Sequence, residues 1–315
     1  STLMRSSAAS DVYKRQLQDL MDDKLDLATI SMPPGTGKST LGIFFLSWIM
    51  GRWPDSPNLA SAHSGLLTRS FYDGVNQIIQ DPEYLYADVF PESKLYATNS
   101  KEETIDLVKF HRFSTLTCRA IGASLTGATR CEKLLYADDL VSGIEEAMSR
   151  ERMDKLWLAY TNDLKSRKKE GAKELHIATR WSVHDPIGRL EQEYGGSDRA
   201  KFIVLPALND DGESNFNYAY GVGFGKEYFE DMQKNLDDAS FRALYQNQPI
   251  EREGLLYSED ELRRYFELPE GDPDAILAIC DTKDKGTDYA FLPVVYQYGD
   301  CLLYTSDAAD DRISV

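Results

Sequence analysis

The feature that most constrains this chain is the segment Pro33–Thr40, which reads Pro-Pro-Gly-Thr-Gly-Lys-Ser-Thr. It follows an apolar run at 27–30 and precedes an apolar, helix-like run at 41–50. A strand, a glycine-containing loop and a helix in this order are typical of phosphate loops, whose backbone N–H groups face phosphate oxygens. The other interpretation of the same pattern is a structural strand-turn-helix corner.

The residues expected to contact a nucleotide are therefore Pro34, Gly35, Thr36, Gly37, Lys38, Ser39 and Thr40. In such loops the glycines allow the turn, the lysine reaches the β and γ phosphates, and the next hydroxyl binds Mg²⁺. The loop departs from the usual pattern at its first position, where Met32 stands in place of glycine. We expect ATP and Mg²⁺ as ligands, with Ser39 on the metal.

A second element agrees with this interpretation. The apolar segment 133–137 ends in Asp138 and Asp139, and Mg·ATP sites need a carboxylate at the end of a neighbouring strand. We expect Asp138 to bind the nucleotide's Mg²⁺. Asp139 then stands where such ATPases place the carboxylate that polarises the attacking water. By itself this pattern also fits an acidic turn after a buried strand.

The chain alternates strand-like and helix-like segments, which predicts an α/β fold with a mostly parallel sheet flanked by helices, as in P-loop NTPases. The predicted strands are 27–32, 58–62, 105–110, 114–119, 133–138, 174–179 and 201–205. The predicted helices are 39–50, 64–80, 144–166, 186–194 and 226–246. A polar break at 209–225 follows the last of these strands.

A third strand-like segment, 174–178, runs into Thr179, Arg180 and Trp181, with Gly188-Arg189-Leu190 a few residues later. This arrangement resembles the coupling motif of the large terminase subunit of tailed bacteriophages. Further matches to that family occur in the same order: Asp81-Pro82-Glu83-Tyr84, Phe90-Pro91, Leu125-Thr126-Gly127 and Tyr245-Gln246-Asn247-Gln248-Pro249. The resemblance covers about residues 17–300.

This resemblance implies a DNA-packaging motor, in which an ATPase translocates double-stranded viral DNA into a procapsid. It also implies a C-terminal RNase H-like nuclease that uses Mg²⁺ or Mn²⁺ to cut concatemeric DNA. The corresponding boundaries are 17–208 for the ATPase core, 209–250 for a lid or linker subdomain, and 251–300 for the truncated start of the nuclease. In the nuclease segment, Asp281 and Asp288 are the expected metal ligands, and Asp284 is expected to face solvent.

Family membership further implies several partners and a location. The partners are a portal protein, a small terminase subunit and other copies of the chain in a homo-oligomeric ring on the procapsid. The expected location is the host cytoplasm, with no place in the mature virion and no membrane contact.

Two catalytic roles follow from the same resemblance. Thr179 is expected to sense the γ phosphate at the end of its strand. Hydrolysis in such motors also needs an arginine that neutralises transition-state charge, and Pro33 and Pro34 fill the positions where the family has one in its loop. Arg69 is the expected substitute, and Arg130 and Arg180 remain as alternatives.

Both ends of the chain look foreign to the rest. Residues 6–16 match the translation of a sequencing-library adapter. Residues 301–311 resemble the translation of the complementary strand of the same adapter. We therefore interpret 1–16 and 301–315 as adapter-derived tails and expect the natural protein to extend beyond both.

Composition constrains the possible partners. The net charge is -17, from 35 basic and 52 acidic residues, whereas DNA-binding proteins usually present a basic surface. The run 165–169, with Lys173, is one basic cluster that offers a local DNA contact, although a solvated helix end and loop is the favoured interpretation. Two other classes stay open: another P-loop NTPase, such as a helicase-like enzyme or a small-molecule kinase, and a non-catalytic nucleotide-binding module.

Overall fold

The computed structural model describes residues 13–109, 112–123, 129–218, 223–250, 269, 271–278, 293–299 and 301–306. By their internal contacts the residues form two units, Ser1–Glu253 and Gly254–Val315. The functional segments in the first 250 residues all belong to the first unit.

The first unit is built on an eight-stranded sheet with the strand order β3-β4-β5-β2-β6-β7-β1-β8. Six neighbouring strands are parallel, namely β5, β2, β6, β7, β1 and β8. Strands β4 and β3 extend the sheet in an antiparallel manner beside β5. The strands are β1 Leu27–Ser31, β2 Asn58–Ala62, β3 Ala97–Asn99, β4 Thr104–Asp106, β5 Leu116–Ala120, β6 Leu134–Asp138, β7 Lys173–Ala178 and β8 Ala200–Val204.

Helices cover both faces of this sheet. They are α1 at 13–21, α2 Lys38–Arg52, α3 Gly65–Gln80, α4 Tyr86–Val89, α5 Ile144–Ala147, α6 Arg150–Ala159, α7 Pro186–Tyr194, α8 Lys226–Asn235 and α9 Asp238–Leu244. Short 3₁₀ turns lie at Pro82–Tyr84 and Lys165–Arg167, and a π-helical turn at Tyr160–Leu164 follows α6.

The two faces have separate hydrophobic cores because side chains alternate along each strand. In β6, Leu134 and Tyr136 belong to the core formed with α2 and α3, whereas Leu135 and Ala137 belong to the core formed with α6. Burial on both faces explains why the central strands read as continuous apolar runs. The predicted fold class, an α/β sheet flanked by helices, is confirmed.

Several element boundaries differ from the predicted ones, chiefly where polar side chains cap helices. The predicted helix 144–166 is divided, and α6 starts anew where the Ser149 hydroxyl accepts from the backbone N–H of Arg152 at 3.3 Å. The predicted helix 226–246 is divided at Asp237, whose carboxylate accepts from the N–H of Ser240 at 2.9 Å and caps α9. Strand β3 was not predicted at all.

The second unit contains a three-stranded antiparallel sheet in the order β11-β10-β9. Its strands are β9 Ala275–Ala278, β10 Pro293–Tyr298 and β11 Cys301–Ser306. The expected nuclease ligands Asp281 and Asp288, and Asp284 between them, lie outside the described residues, so their roles stay predictions.

Candidate functional site

The predicted nucleotide site forms at the carboxyl ends of three neighbouring strands. Strand β7 lies between β1 and β6, and all three run parallel. The phosphate loop follows β1, the two aspartates end and follow β6, and Thr179 follows β7. Parallel pairing therefore brings together three segments whose contacting residues lie between 40 and 141 residues apart in sequence.

The phosphate loop has the backbone that anion binding requires. Gly35 and Gly37 have φ values of 74° and 93°, a left-handed region open to glycine at little cost. A β-carbon on Gly37 would meet nothing within 4 Å, so the loop is open at this point. Within the described residues, the backbone N–H groups of 35–39 donate no hydrogen bond, and α2 begins directly behind them. Free N–H groups at a helix N-terminus are a ready site for phosphate.

The missing first glycine has a structural explanation. Neither Met32 nor the two prolines after it have positive φ, so this backbone does not need glycine. The Met32 side chain is buried in the core, and its carbonyl accepts from the Thr179 hydroxyl at 3.2 Å. The next carbonyl, of Pro33, accepts from the Thr36 hydroxyl at 2.7 Å. Side-chain hydrogen bonds thus hold the start of the loop.

The ammonium group of Lys38 is the centre of the site. It is 6% exposed and donates to the Thr179 hydroxyl at 2.7 Å and to the Pro33 carbonyl at 3.1 Å. It also lies 3.6 Å from Oδ2 of Asp139. The predicted lysine, the predicted γ-phosphate sensor and the predicted catalytic carboxylate are therefore in direct contact or nearly so.

The Ser39 hydroxyl donates to Oδ2 of Asp138 at 2.7 Å, as expected of two groups that share a Mg²⁺. The Asp138 side chain is buried, and its Oδ1 has no hydrogen-bond partner of normal geometry in the part of the chain that the structure describes. Burial raises the pKa of Asp138 to about 7, and the charge of Asp139 adds to the rise, against the opposing effects of Ser39 and Lys38. A buried carboxylate with a spare oxygen beside a hydroxyl fits a Mg²⁺ ion.

No group of three or more His, Cys, Asp or Glu side chains that could hold a metal was found among the described residues. This is compatible with Mg²⁺ at Ser39 and Asp138, because this ion usually binds one or two protein groups together with substrate phosphates and water.

Asp139 is held in an unusual backbone conformation. Its φ is 38°, which costs a non-glycine residue about 1–3 kcal/mol. Its N–H donates to the Ile177 carbonyl at 3.1 Å, and its Oδ1 accepts from the N–H of Thr179 at 2.7 Å. Its own carbonyl lies 3.3 Å from the backbone nitrogen of His63 and 2.8 Å from the ring Nδ1 of the same residue. A carbonyl only accepts, so Nδ1 carries a proton.

His63 is a site residue that the sequence interpretation missed. It follows β2, and the pairing of Ala62 with Asp138 places it opposite Asp139. The sequence signal for it was its position directly after the apolar segment 58–62, at the carboxyl end of a predicted parallel strand.

Two aromatic residues of the predicted lid segment, 209–250, also contact the phosphate loop. The Tyr218 hydroxyl donates to the carbonyl of Thr36 at 3.2 Å. The Phe224 ring lies 3.2 Å from the point where a β-carbon on Gly35 would stand, and it stacks on Tyr228 at 4.4 Å. These contacts were not predicted.

The remaining predicted loop residues lie at the edge of the site. Pro34 is half-buried, and Thr40 is exposed on the first turn of α2. Their roles in nucleotide binding stay predictions.

The three candidate arginines lie in different surroundings. Arg69, on α3, binds the Asp73 carboxylate at 3.0 Å and the Ser100 carbonyl at 2.8 Å, and its side chain is 43% exposed. Arg130 binds Glu132 at 2.9 Å. Arg180 is buried and binds Asp185 at 2.9 Å and 3.1 Å, which ties the end of β7 to the start of α7. The role of Arg69 as the catalytic arginine stays a prediction.

No helix in the described ranges has the length and apolar character needed to cross a bilayer. No family model matches the sequence, and no curated protein matches it.

The structure is similar to solved structures of phage packaging proteins. The large terminase ATPase domain of Thermus phage P74-26 is 11% identical with a TM-score of 0.42, and the match covers 74% of this chain and 93% of that one. The large terminase of a thermophilic bacteriophage is 10% identical with a TM-score of 0.46, covering 92% and 68%. The Phi-28 gp11 DNA packaging motor is 11% identical with a TM-score of 0.36, covering 91% and 77%. These identities and TM-scores are low, so the functional assignment rests on the site's own residues.

Proposed function

We propose that this chain is the large subunit of a phage terminase, an ATPase whose hydrolysis of Mg·ATP drives double-stranded DNA into a procapsid. The proposal is supported by the order of the sequence motifs and by the contacts among the residues that carry them. The single observation that carries it is the contact of Lys38 with Thr179, and its approach to Asp139, at one edge of the sheet.

Each residue has a distinct role in hydrolysis. The N–H groups of 35–39 bind the phosphates of ATP, and Lys38 neutralises charge that develops on the transferred phosphoryl group. Ser39 and Asp138 would hold Mg²⁺, which neutralises charge on the phosphate oxygens. Asp139 orients the attacking water and accepts its proton.

Thr179 links hydrolysis to the rest of the sheet. Its hydroxyl accepts from Lys38 and its N–H donates to the carboxylate of Asp139. One residue at the end of β7 therefore positions both the lysine and the proposed catalytic carboxylate. The guanidinium of the next residue, Arg180, is paired with Asp185 at the start of α7 and does not contact Lys38 or Asp139. A shift of Thr179 toward a bound γ phosphate would therefore move the β7–α7 connection.

The test is ATP turnover of the chain with Lys38→Ala and, separately, Asp138→Asn. Each change removes a charge that meets phosphate or Mg²⁺, so we expect hydrolysis to be lost while the circular dichroism spectrum is retained. Lys155→Ala is the matched control, because this lysine is exposed on α6 and its ion pair is with Glu151, away from the nucleotide site. Hydrolysis that survives in either site variant would refute the assignment.

The resemblance also supports finer parts of the proposal. These are endonuclease cleavage of concatemeric DNA with Mg²⁺ or Mn²⁺ at Asp281 and Asp288, a homo-oligomeric ring on the procapsid, contacts with the portal protein and the small terminase subunit, and a location in the host cytoplasm. Nicking of plasmid DNA that depends on Asp281 in a longer chain would test the nuclease.

A further inference from the structure

The amino ends of the parallel strands, opposite the nucleotide site, carry a concentration of positive charge. We call the four residues Arg52, Arg112, Arg130 and Lys133 the amino-end basic face. Arg52 ends α2 shortly before β2, and the others precede β5 and β6, so all four lie where the parallel strands begin.

Hydrogen bonds join the loops that carry these residues. The Thr115 hydroxyl, before β5, donates to the Pro54 carbonyl before β2 at 2.9 Å. The N–H groups of Glu132 and Lys133, before β6, donate to the Pro57 carbonyl at 2.8 and 3.1 Å. The cations therefore belong to one contiguous surface although they are widely separated in sequence.

Aromatic rings, rather than carboxylates, hold most of these cations. Nζ of Lys133 lies 3.8 Å from the centroid of the Trp53 ring, and Cζ of Arg52 lies 5.6 Å from the same ring. Cζ of Arg112 and Cζ of Arg130 lie 5.3 and 5.8 Å from the centroid of a second ring, that of Phe113. A cation on an aromatic face is fixed in place but keeps its charge.

Carboxylates compensate little of this charge. In the ranges that the structure describes, Arg52, Arg112 and Lys133 form no ion pair. Arg130 is paired with Glu132 at 2.9 Å, but the same oxygen also binds Lys169 at 3.3 Å. One carboxylate is therefore shared by two cations.

The basic run 165–169, which is the densest in the sequence, is less available. Lys168 is paired with the buried Glu174 at 2.9 Å, Lys169 with Glu132, and Lys165 donates to the Tyr194 hydroxyl at 2.9 Å. Two of its four charges, those of Lys168 and Lys169, are therefore paired with carboxylates. The charge of the amino-end basic face instead lies on residues that are scattered in the sequence.

Folding alone does not explain this surface. The C-terminus of α2 favours a cation at Arg52, but no helix ends at Arg112 or Lys133. Burial and the nearby charge of Lys173 lower the pKa of Lys133, against a smaller opposing effect of the Asp23 carboxylate, so this cation is packed at some cost. In a chain of net charge -17, an uncompensated basic face indicates an anionic partner.

We propose that the amino-end basic face binds the phosphate backbone of a DNA duplex, an inference that rests on the function proposed above. Neighbouring strands lie about 4.8 Å apart, so the edge from β5 across β2 to β6 spans about 10 Å. A duplex presents one negative charge per roughly 1.7 Å of its axis, which gives several phosphates along this edge. Guanidinium groups match phosphate oxygens in a bidentate manner, and the opposite sheet edge stays free for ATP.

The test is the salt dependence of DNA binding by the full chain carrying Arg52→Gln and Arg112→Gln. Both side chains are exposed, so the variant should fold. The probe is a fluorescently labelled duplex of about 30 base pairs, titrated between about 50 and 200 mM salt. The matched control carries Lys155→Gln and Lys226→Gln, which removes the same charge from two exposed lysines paired with carboxylates elsewhere.

Each lost phosphate contact lowers the slope of log K against log salt by about 0.9, so we expect the slope to fall by about 1.8 in the variant and to stay unchanged in the control. ATP turnover without DNA should equal that of the unmodified chain. An unchanged slope in the variant, or an equal fall in the control, would overturn the proposed surface. Hydrolysis that survives Lys38→Ala would instead overturn the proposed function, so the two failures are distinct.

Discussion

Thr179→Val is the substitution that most directly tests how the site works. Valine has nearly the same shape as threonine but lacks the hydroxyl that accepts from Lys38 at 2.7 Å and donates to the Met32 carbonyl at 3.2 Å. The backbone N–H that binds Asp139 is retained. The change therefore removes the link to the lysine while leaving the catalytic carboxylate in place.

The expected magnitude follows from the bond that is lost. A hydrogen bond to a charged group contributes about 1.5–3 kcal/mol, and about 1.4 kcal/mol corresponds to a tenfold change in rate. If the hydroxyl positions Lys38 during phosphoryl transfer, kcat should fall roughly ten- to hundredfold. The Kd for ATP should change little, because the loop N–H groups, Lys38 and Ser39 remain to bind the phosphates.

The assay compares kcat from phosphate release at saturating ATP with Kd from equilibrium titration of a fluorescent ATP analogue. Thr179→Ser is the matched control, since it restores the hydroxyl and should recover most of the turnover. A parallel loss of kcat and affinity in Thr179→Val, or a Thr179→Ser variant as slow as the valine variant, would refute the proposed role of the hydroxyl.

Two further predictions concern the sheet around the site. His63→Ala should lower kcat several-fold with little effect on Kd, because it removes the ring N–H from the carbonyl of Asp139 and leaves only the longer bond from the backbone N–H of residue 63. His63→Asn should restore part of the rate by supplying an N–H at the same place, and an equally slow His63→Asn would exclude this positioning role. Gly42→Ala should lower the free energy of unfolding in urea by about 1–3 kcal/mol or more, since its β-carbon would lie 2.0 Å from the Tyr136 hydroxyl, whereas Gly65→Ala, with nothing within 4 Å, should be neutral or stabilising.

Local sequence signals determined the main parts of the site. A glycine loop after an apolar run and two aspartates after another each depend on neighbouring residues only, whereas the role of Thr179 followed from the family resemblance. The structure places Lys38, Asp138 and Thr179 within one cluster. The same signals predicted the α/β fold, because apolar runs alternating with helical periodicity have few other ways to bury their surfaces.

Tertiary structure alone decided what depends on pairing between distant strands and loops. His63 meets Asp139 only because β2 pairs with β6 in one register, and Tyr218 meets Thr36 across more than 180 residues. The distribution of charge was equally hidden: in the dense run 165–169 Lys168 and Lys169 are paired with carboxylates, while Arg52, Arg112 and Lys133 keep their charge on aromatic rings. Whether a cation is compensated depends on which side chains fold against it, and no local pattern carries that information.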